Sequence, residues 1–238
     1  MVYPSIINRE FIPYKSDSLY QWATRDQLVT CTHCARYFAA CFACPCSVND
    51  PRLYNPCHNF KLVFTDGACS NNGQPYATSG IGISMGTVSE YRWSIPIDES
   101  IDRGKSRTSQ RAELLAAIYG LKKINEADIY EAESIRKHGS PAYNSHLKVG
   151  VLGHAYYVPH YVVVTDSRYV AEGMTKWLPE WKKNSWKNSR GEEPTNIDLF
   201  AELDNLVMRY EMMGYQVGFW KIGREDNHEA DSLAKQAA

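Results

Sequence analysis

Hydrophobic and polar positions divide the chain into two regimes. From residue 61 onward the pattern is regular. Lys61 to Thr65 is a short apolar run ending in Asp-Gly, and Ser79 to Met85 and Val88 to Ile95 alternate like paired strands, so three consecutive strands are predicted. At Ser109 the period changes, and Leu114, Ala117, Ile118, Leu121 and Ile124 recur at helical spacing. Tyr161 to Val164 reads as a buried strand ending in Thr-Asp-Ser, with Ser167 placed to cap the helix that follows. Leu199, Leu203, Leu206 and Tyr210 mark another amphipathic helix, Val217 to Ile222 a fifth strand, and Asn227 to Ala237 a terminal helix. This order predicts the α/β class, a mixed five-stranded sheet with helices on both faces.

Two stretches break the pattern. Residues 1–60 are rich in Pro, Cys and aromatics with no sustained helical period, and 125–160 is longer than an ordinary connection. The predicted division is therefore a small Cys-rich segment over 1–60 and a regular α/β domain over 61–238 with an insertion at about 125–160.

Composition narrows the class. A chain of 238 residues, 44% hydrophobic and 22% charged, buries a proper core, which excludes a disulfide-propped miniprotein and a disordered chain. No apolar run approaches the ~20 residues a membrane span needs. The first fifteen residues, MVYPSIINREFIPYK, lack the apolar core of a secretory signal. The expectation is an intracellular monomer, nuclear or cytoplasmic and not secreted. Lys and Arg number 26 against 27 Asp and Glu, a net charge of -1 that argues weakly against coating nucleic acid by bulk charge but is silent on distribution.

Candidate chemistry lies in the acids. Asp66 and Asp166 each follow an apolar strand, where α/β folds usually place their sites, Glu113 lies near the start of the first helix and Asp231 near the start of the last. Any one of them alone reads as a turn or cap residue. Four converging from separate elements are another matter, because acids within ~4 Å repel and are tolerated only when cations or protons neutralise them. Oxygen-only ligands favour Mg²⁺ or Mn²⁺ over zinc.

The segments TDGACSNNG (65–73), TSQRAELLAAIYGL (108–121), VVVTDSRYVAEGMTKWLPEWKKNSWK (162–187) and NHEADSLAKQAA (227–238) resemble, in order, the successive motifs of the single-chain type 1 ribonuclease H family. The resemblance covers residues 61–238 apart from the insertion. It implies the ribonuclease H-like fold and an endoribonuclease that cuts the RNA strand of RNA-DNA hybrids, leaving 5′-phosphate and 3′-hydroxyl ends. By the same matching, Asp66, Glu113, Asp166 and Asp231 are the catalytic acids and hold two Mg²⁺ ions, for which Mn²⁺ can substitute. Ions about 3.5–4 Å apart activate water on one side and stabilise the leaving oxygen on the other. Removal of RNA primers or R-loops is the cellular role such an activity suggests. The alternative from another class is a catalytically weak or inactive hybrid- or duplex-binding module of the same fold.

Binding roles follow from the resemblance too. Asn72, Ser109 and Gln110 match positions that contact sugar and phosphate in the minor groove of the hybrid, and Thr108 matches the pocket for a DNA phosphate. Ordinary turn and cap roles suit the same residues. Between residues 176 and 190, Lys176, Lys182, Lys183, Lys187 and Arg190 oppose only Glu180, five minus one or +4, with Trp177, Trp181 and Trp186 interleaved. In the family this is the basic protrusion that grips the DNA strand, which implies roles for Trp177, Trp181, Lys182, Lys183 and Lys187 and salt-sensitive binding.

The chain departs from the family twice. The loop before the last helix, GREDN (223–227), carries Arg224 where many members have a histidine, and His228 reads as a solvated residue at the helix start. Turnover is then reduced or better supported by Mn²⁺, without implying a dead enzyme. The N-terminal segment does not resemble the hybrid-binding module at the front of many eukaryotic members. It carries Cys31, Cys34, Cys41, Cys44, Cys46 and Cys57, six of the seven cysteines. Two CxxC pairs suggest structural Zn²⁺, but the six-residue gap between them is tight for a zinc ribbon, and buried reduced thiols or a local disulfide fit as well. A protein partner for this segment is a further expectation. Cys69 reads as a small packing residue rather than a nucleophile.

Overall fold

The computed structural model describes residues 5–13, 24–32, 34–40, 58–138 and 159–238. Its strands are β1 (Ser5–Ile7), β2 (Glu10–Ile12), β3 (Leu28–Thr30), β4 (Tyr37–Ala39), β5 (Phe60–Ser70), β6 (Thr78–Ser84), β7 (Arg92–Pro96), β8 (His160–Thr165) and β9 (Gln216–Lys221). The helices are α1 (Ser109–His138), α2 (Arg168–Glu172), α3 (Leu178–Lys183), α4 (Ile197–Met212) and α5 (His228–Ala237), with a π turn, Gly173–Trp177, joining α2 to α3. Among the described residues all nine strands form one sheet. The five strands predicted from the sequence make its centre in the order β7-β6-β5-β8-β9. β5, β8 and β9 run parallel, while β6 and β7 are antiparallel additions.

Alternation along the parallel strands builds two cores, because successive side chains point to opposite faces. Val63, Ile81, Ile83, Tyr161, Val163, Val217 and Phe219 meet α1 and α4 through Leu114, Ile118, Leu121, Leu203 and Val207. On the other face Phe60, Leu62, Phe64, Val162, Val164 and Trp220 meet Ala230 of α5, and also Phe11 and Ala39. Phe11 packs at 5.5 Å from Phe60 and 5.2 Å from Trp220 between ring centroids. The described part of the N-terminal segment is thus built into the sheet and its second core. β2 joins β9 at Glu10 and Phe219, and β4 joins β5 at Phe38 and Lys61.

Three boundaries differ from the sequence-based expectation. The strand read as Lys61 to Thr65 runs on to Ser70, because β6 pairs with it through Ser70 and Thr78. Asp66 therefore lies inside β5, just past Phe64, the last residue β8 pairs. Val88 to Ile95 is not all strand: Ser89–Tyr91 is a 3₁₀ turn closed by the Tyr91 N–H on the Val88 carbonyl, and β7 begins at Arg92. The helix seen to Ile124 continues to His138, so the opening of the insertion is helical.

That extension carries an ion cluster. Asp128 accepts from Arg36 Nη1 at 2.7 Å and from the Tyr161 hydroxyl at 2.9 Å, and it pairs with Lys61. Burial raises the Asp128 carboxyl, but Lys61 and Arg36 outweigh it and hold it below the usual range. The cluster joins the β3/β4 hairpin, β5, β8 and α1. Removing its centre strands a buried guanidinium, so Asp128→Ala is expected to cost about 3–5 kcal/mol in urea denaturation. Glu131→Ala, on the solvent side of the same Arg36, is expected to cost less than about 1 kcal/mol.

Candidate active site

The four acids arrive on four different elements. Asp66 is on β5, Asp166 immediately follows β8, Glu113 is in the second turn of α1, and Asp231 is in the first turn of α5. Two glycines set how closely the helices approach. A Cβ at Gly67 would lie 2.2 Å from the Ala112 carbonyl carbon and from the Glu113 nitrogen, so only glycine lets α1 reach β5 here. At Gly82, the residue paired with Asp66, a Cβ would lie 1.9 Å from the Ala230 carbonyl oxygen of α5. Each contact sits next to a carboxylate, which places Glu113 and Asp231 around Asp66.

The electrostatics report the convergence. Asp66 is 6% exposed, and burial together with the Asp166 and Asp231 charges pushes its carboxyl up to about 7. Burial and the charges of Asp66 and Asp166 carry Glu113 well above the ordinary carboxylate range. Burial also raises Asp231, but its partners prevail, with Lys235 Nζ at 2.6 Å and Arg224 Nη2 at 3.4 Å, and hold it low. Glu113 Oε2 is buried with no hydrogen-bond partner. A carboxylate oxygen left so costs free energy unless something positive meets it. An oxygen-only donor set with an orphaned buried member fits a hard divalent cation.

One residue here, Asn227, was not singled out from the sequence. Asn227, 1% exposed, donates from Nδ2 to Asp166 Oδ1 at 2.8 Å and to the Thr65 carbonyl at 3.1 Å, fixing Asp166 against β5. An Asn before a helix usually reads as a cap, so its inward reach left no sequence signal. Arg224, noted only as standing where a histidine is common, faces Asp231. His228 is exposed at the start of α5, as expected.

Beside the acids, the Ser109 N–H donates to Asn72 Oδ1 at 3.2 Å, and the Arg111 N–H to Thr108 Oγ1 at 3.3 Å. Asn72, Thr108 and Ser109 therefore organise the start of α1, while Gln110 is exposed next to them. Ser167 caps α2 through the Val170 N–H, as predicted. In the basic stretch, Trp177 and Trp181 are half-buried, against Tyr169 at 5.8 Å and Phe200 at 5.1 Å, and Trp186 is exposed. The Lys182 ammonium sits 2.5 Å from the buried Asp204, which also receives Arg9 at 2.6 Å. Lys183 pairs with Glu180 at the surface, and Lys187 is exposed. Of the cysteine set, Cys31 and Cys34 come together, whereas Cys41, Cys44, Cys46 and Cys57 lie outside the described residues. Cys69 is partly buried on β5.

The raised Asp66 carboxyl has a stability consequence. Its ordinary value is 3.8 and its folded value about 7, so between them the folded chain binds more protons than the unfolded one, and stability falls as pH rises through that window. The melting temperature of chelator-treated protein is expected to fall between about pH 4 and pH 7, and millimolar Mg²⁺ to restore it at the upper end. Asp66→Asn is expected to flatten the fall, measured by thermal melts across pH. A wild-type profile that is flat without metal would count against a strained carboxylate cluster.

The family model described as RNase H matches residues 149–238. Ribonuclease H1 of Rattus norvegicus is 32% identical over 177 residues, covering 74% of this chain and 50% of that protein. The chain thus spans about half the length of the mammalian relatives it matches. A solution structure of the PFV RNase H domain is 22% identical with a TM-score of 0.44, over 74% of this chain and 92% of that one. Ribonuclease H of Wolbachia pipientis wMel is 32% identical over 181 residues, covering 74% of this chain and 93% of that protein. With similarity at this level across nearly the whole of a relative, the chain belongs to the ribonuclease H family.

Proposed function

We propose that this chain is an endoribonuclease that hydrolyses the RNA strand of RNA-DNA hybrids, with two divalent cations, Mg²⁺ or Mn²⁺, held by Asp66, Glu113, Asp166 and Asp231. The observation that carries the reading is the gathering of four carboxylates from four elements, one of them raised to about 7 and one with an unpartnered buried oxygen. Relatives named ribonuclease H support the substrate class. When bound, the cations supply an activated water and charge stabilisation at the leaving oxygen of an in-line displacement.

The chain's own residues do the positioning. Asn227 holds Asp166 in place, and Arg224 and Lys235 keep Asp231 ionised and ready to ligate. Asn72, Ser109 and Gln110 offer short amides and hydroxyls beside the acids, the donors and acceptors suited to a ribose 2′-hydroxyl, which only the RNA strand possesses. The stretch from Lys176 to Arg190 supplies positive charge for phosphates of the other strand, and of its lysines Lys182 is the one paired with a buried acid, Asp204. Removal of RNA from primers or R-loops is the role we assign to such an activity.

One assay on hybrid, single-stranded RNA, double-stranded RNA and DNA, with Mg²⁺, Mn²⁺ or chelator, tests the reading. Cleavage of RNA in the hybrid alone, dependent on metal, is expected. Asp66→Asn and Asp166→Asn are each expected to lower the rate at least about a hundredfold while hybrid binding persists. Cleavage that survives both substitutions would sink the assignment, and hybrid binding without cleavage in any metal would favour a binding module. For the basic stretch, Lys183→Ala and Lys187→Ala are each expected to reduce the slope of log affinity against log salt by about one.

A further inference from the structure

The cysteines of the N-terminal segment have no part in the hydrolysis, yet two of them occupy a shaped environment. Cys31 and Cys34 lie in the turn between β3 and β4, and His58 lies just before β5. The two sulfurs and one imidazole nitrogen of this trio all lie within 4.8 Å of one another. Cys31 and Cys34 are not joined as a disulfide, which removes that reading for the pair.

The local backbone makes the turn a preformed cradle. Ala35, directly after the second cysteine, takes the left-handed conformation with φ of 58°, which an L residue adopts only when its surroundings require it. The chain doubles back at once: the Ala35 N–H donates to the Cys31 carbonyl at 2.8 Å, and the Cys31 N–H to the Arg36 carbonyl at 3.0 Å. The Cys31 sulfur beside it and burial hold the Cys34 thiol well above its ordinary range, against the Arg36 N–H that is turned onto its sulfur. The third donor is fixed independently. The His58 ring stacks on Phe38 of β4, centroids 4.0 Å apart and planes 1° from parallel.

We propose that Cys31, Cys34 and His58 bind a zinc ion that fastens the β3/β4 hairpin to the entrance of β5. Two thiolates and an imidazole suit zinc and are poor ligands for Mg²⁺, so this site and the carboxylate site select different metals. Tetrahedral zinc, with bonds of about 2.3 Å to sulfur and 2.0–2.1 Å to nitrogen, spaces its ligand atoms by about 3.5–3.8 Å, inside the 4.8 Å within which the three atoms lie. Binding releases the two thiol protons to solvent and leaves a neutral zinc bis-thiolate with the imidazole as third ligand. His58 joins Cys31 and Cys34 of the six cysteines expected from the sequence, the other four lying outside the described residues. Cys-His adjacency at 57 and 58 does not by itself reveal that the imidazole folds back over β4. The inference is independent of the nuclease reading, since it concerns different residues and a different metal.

Elemental analysis of the full chain, purified without chelator after expression in zinc-supplemented medium, is expected to give one zinc per chain. Cys34→Ser and His58→Ala are each expected to lower zinc affinity at least about tenfold, and Cys69→Ser to leave it unchanged. Replacement by Co²⁺ is expected to produce the intense visible bands of a tetrahedral ion with sulfur ligands, lost in the same two variants. Should those variants fail to fold, wild-type protein alone decides. Cys31 and Cys34 are expected to resist alkylation until a zinc-selective chelator is added, with Cys69 modified at the same rate throughout. Chelation is also expected to lower the melting temperature in buffer containing excess Mg²⁺. Zinc binding undiminished in Cys34→Ser and His58→Ala, or Cys31 and Cys34 alkylated equally with and without chelator, would overturn the proposal.

Discussion

Repulsion among Asp66, Glu113, Asp166 and Asp231 has to be contained by parts of the fold that cannot yield, and the surrounding construction follows from that. Gly67 and Gly82 remove the two Cβ atoms that would hold α1 and α5 away from the sheet, so main chain rests on main chain. Backbone packed this closely has no side-chain rotamers through which to relax, so the main chain that carries the acids is held in place. Around the rim the charge is graded. Arg224 and Lys235 relieve Asp231 at the solvent edge, while Glu113, deepest in the cluster, keeps an oxygen with no partner. The tension is therefore greatest where the pocket is least accessible to water, which is where a bound cation gains most from a low dielectric.

The second face of the sheet is as consequential as the first. Phe60, Leu62, Phe64 and Trp220 form an apolar surface that α5 alone does not cover, and Phe11, Ala39 and their neighbours complete it. Arg36 then reaches through the hairpin to Asp128 on the extended α1, tying the N-terminal segment to the helix that carries Glu113. The same helix thus positions a catalytic candidate near its start and an anchoring acid further along. Asp204 on α4 does similar work at the other edge, receiving Arg9 from the β1/β2 turn and Lys182 from the basic stretch.

Much of this was legible in the sequence. Val163 and its neighbours announced a buried parallel strand through an unbroken apolar run, and Leu199, Leu203, Leu206 and Tyr210 announced the buried stripe of α4, all of them buried in the fold. The four acids were legible because the family's motifs surround each one. What escaped was non-local. Three-residue strands such as Glu10–Ile12 and Tyr37–Ala39 are too short for periodicity, and their partners lie far along the chain. The end of β5 was misplaced because Asp-Gly is normally a turn signal, whereas here the glycine serves a helix contact and the aspartate a site. Asn227 read only as the start of the terminal helix and Lys182 as one charge of the basic stretch. Their actual partners, Asp166 and Asp204, are set by tertiary packing alone.

The pairing of β2 with β9 bears on how the molecule comes into being. Glu10 sits opposite Phe219, and Arg9 is held by Asp204 and Glu211, so the first described strands complete the sheet beside nearly the last ones. During synthesis from the N-terminus, Ile6 and Phe11 emerge long before the surface that receives them exists. Closing so long a loop is entropically costly and comes late, which makes this edge a slow step in assembly. Until it forms, β9 presents an open strand edge and Trp220 an uncovered ring, and the nascent chain depends on its surroundings to keep that edge from pairing elsewhere.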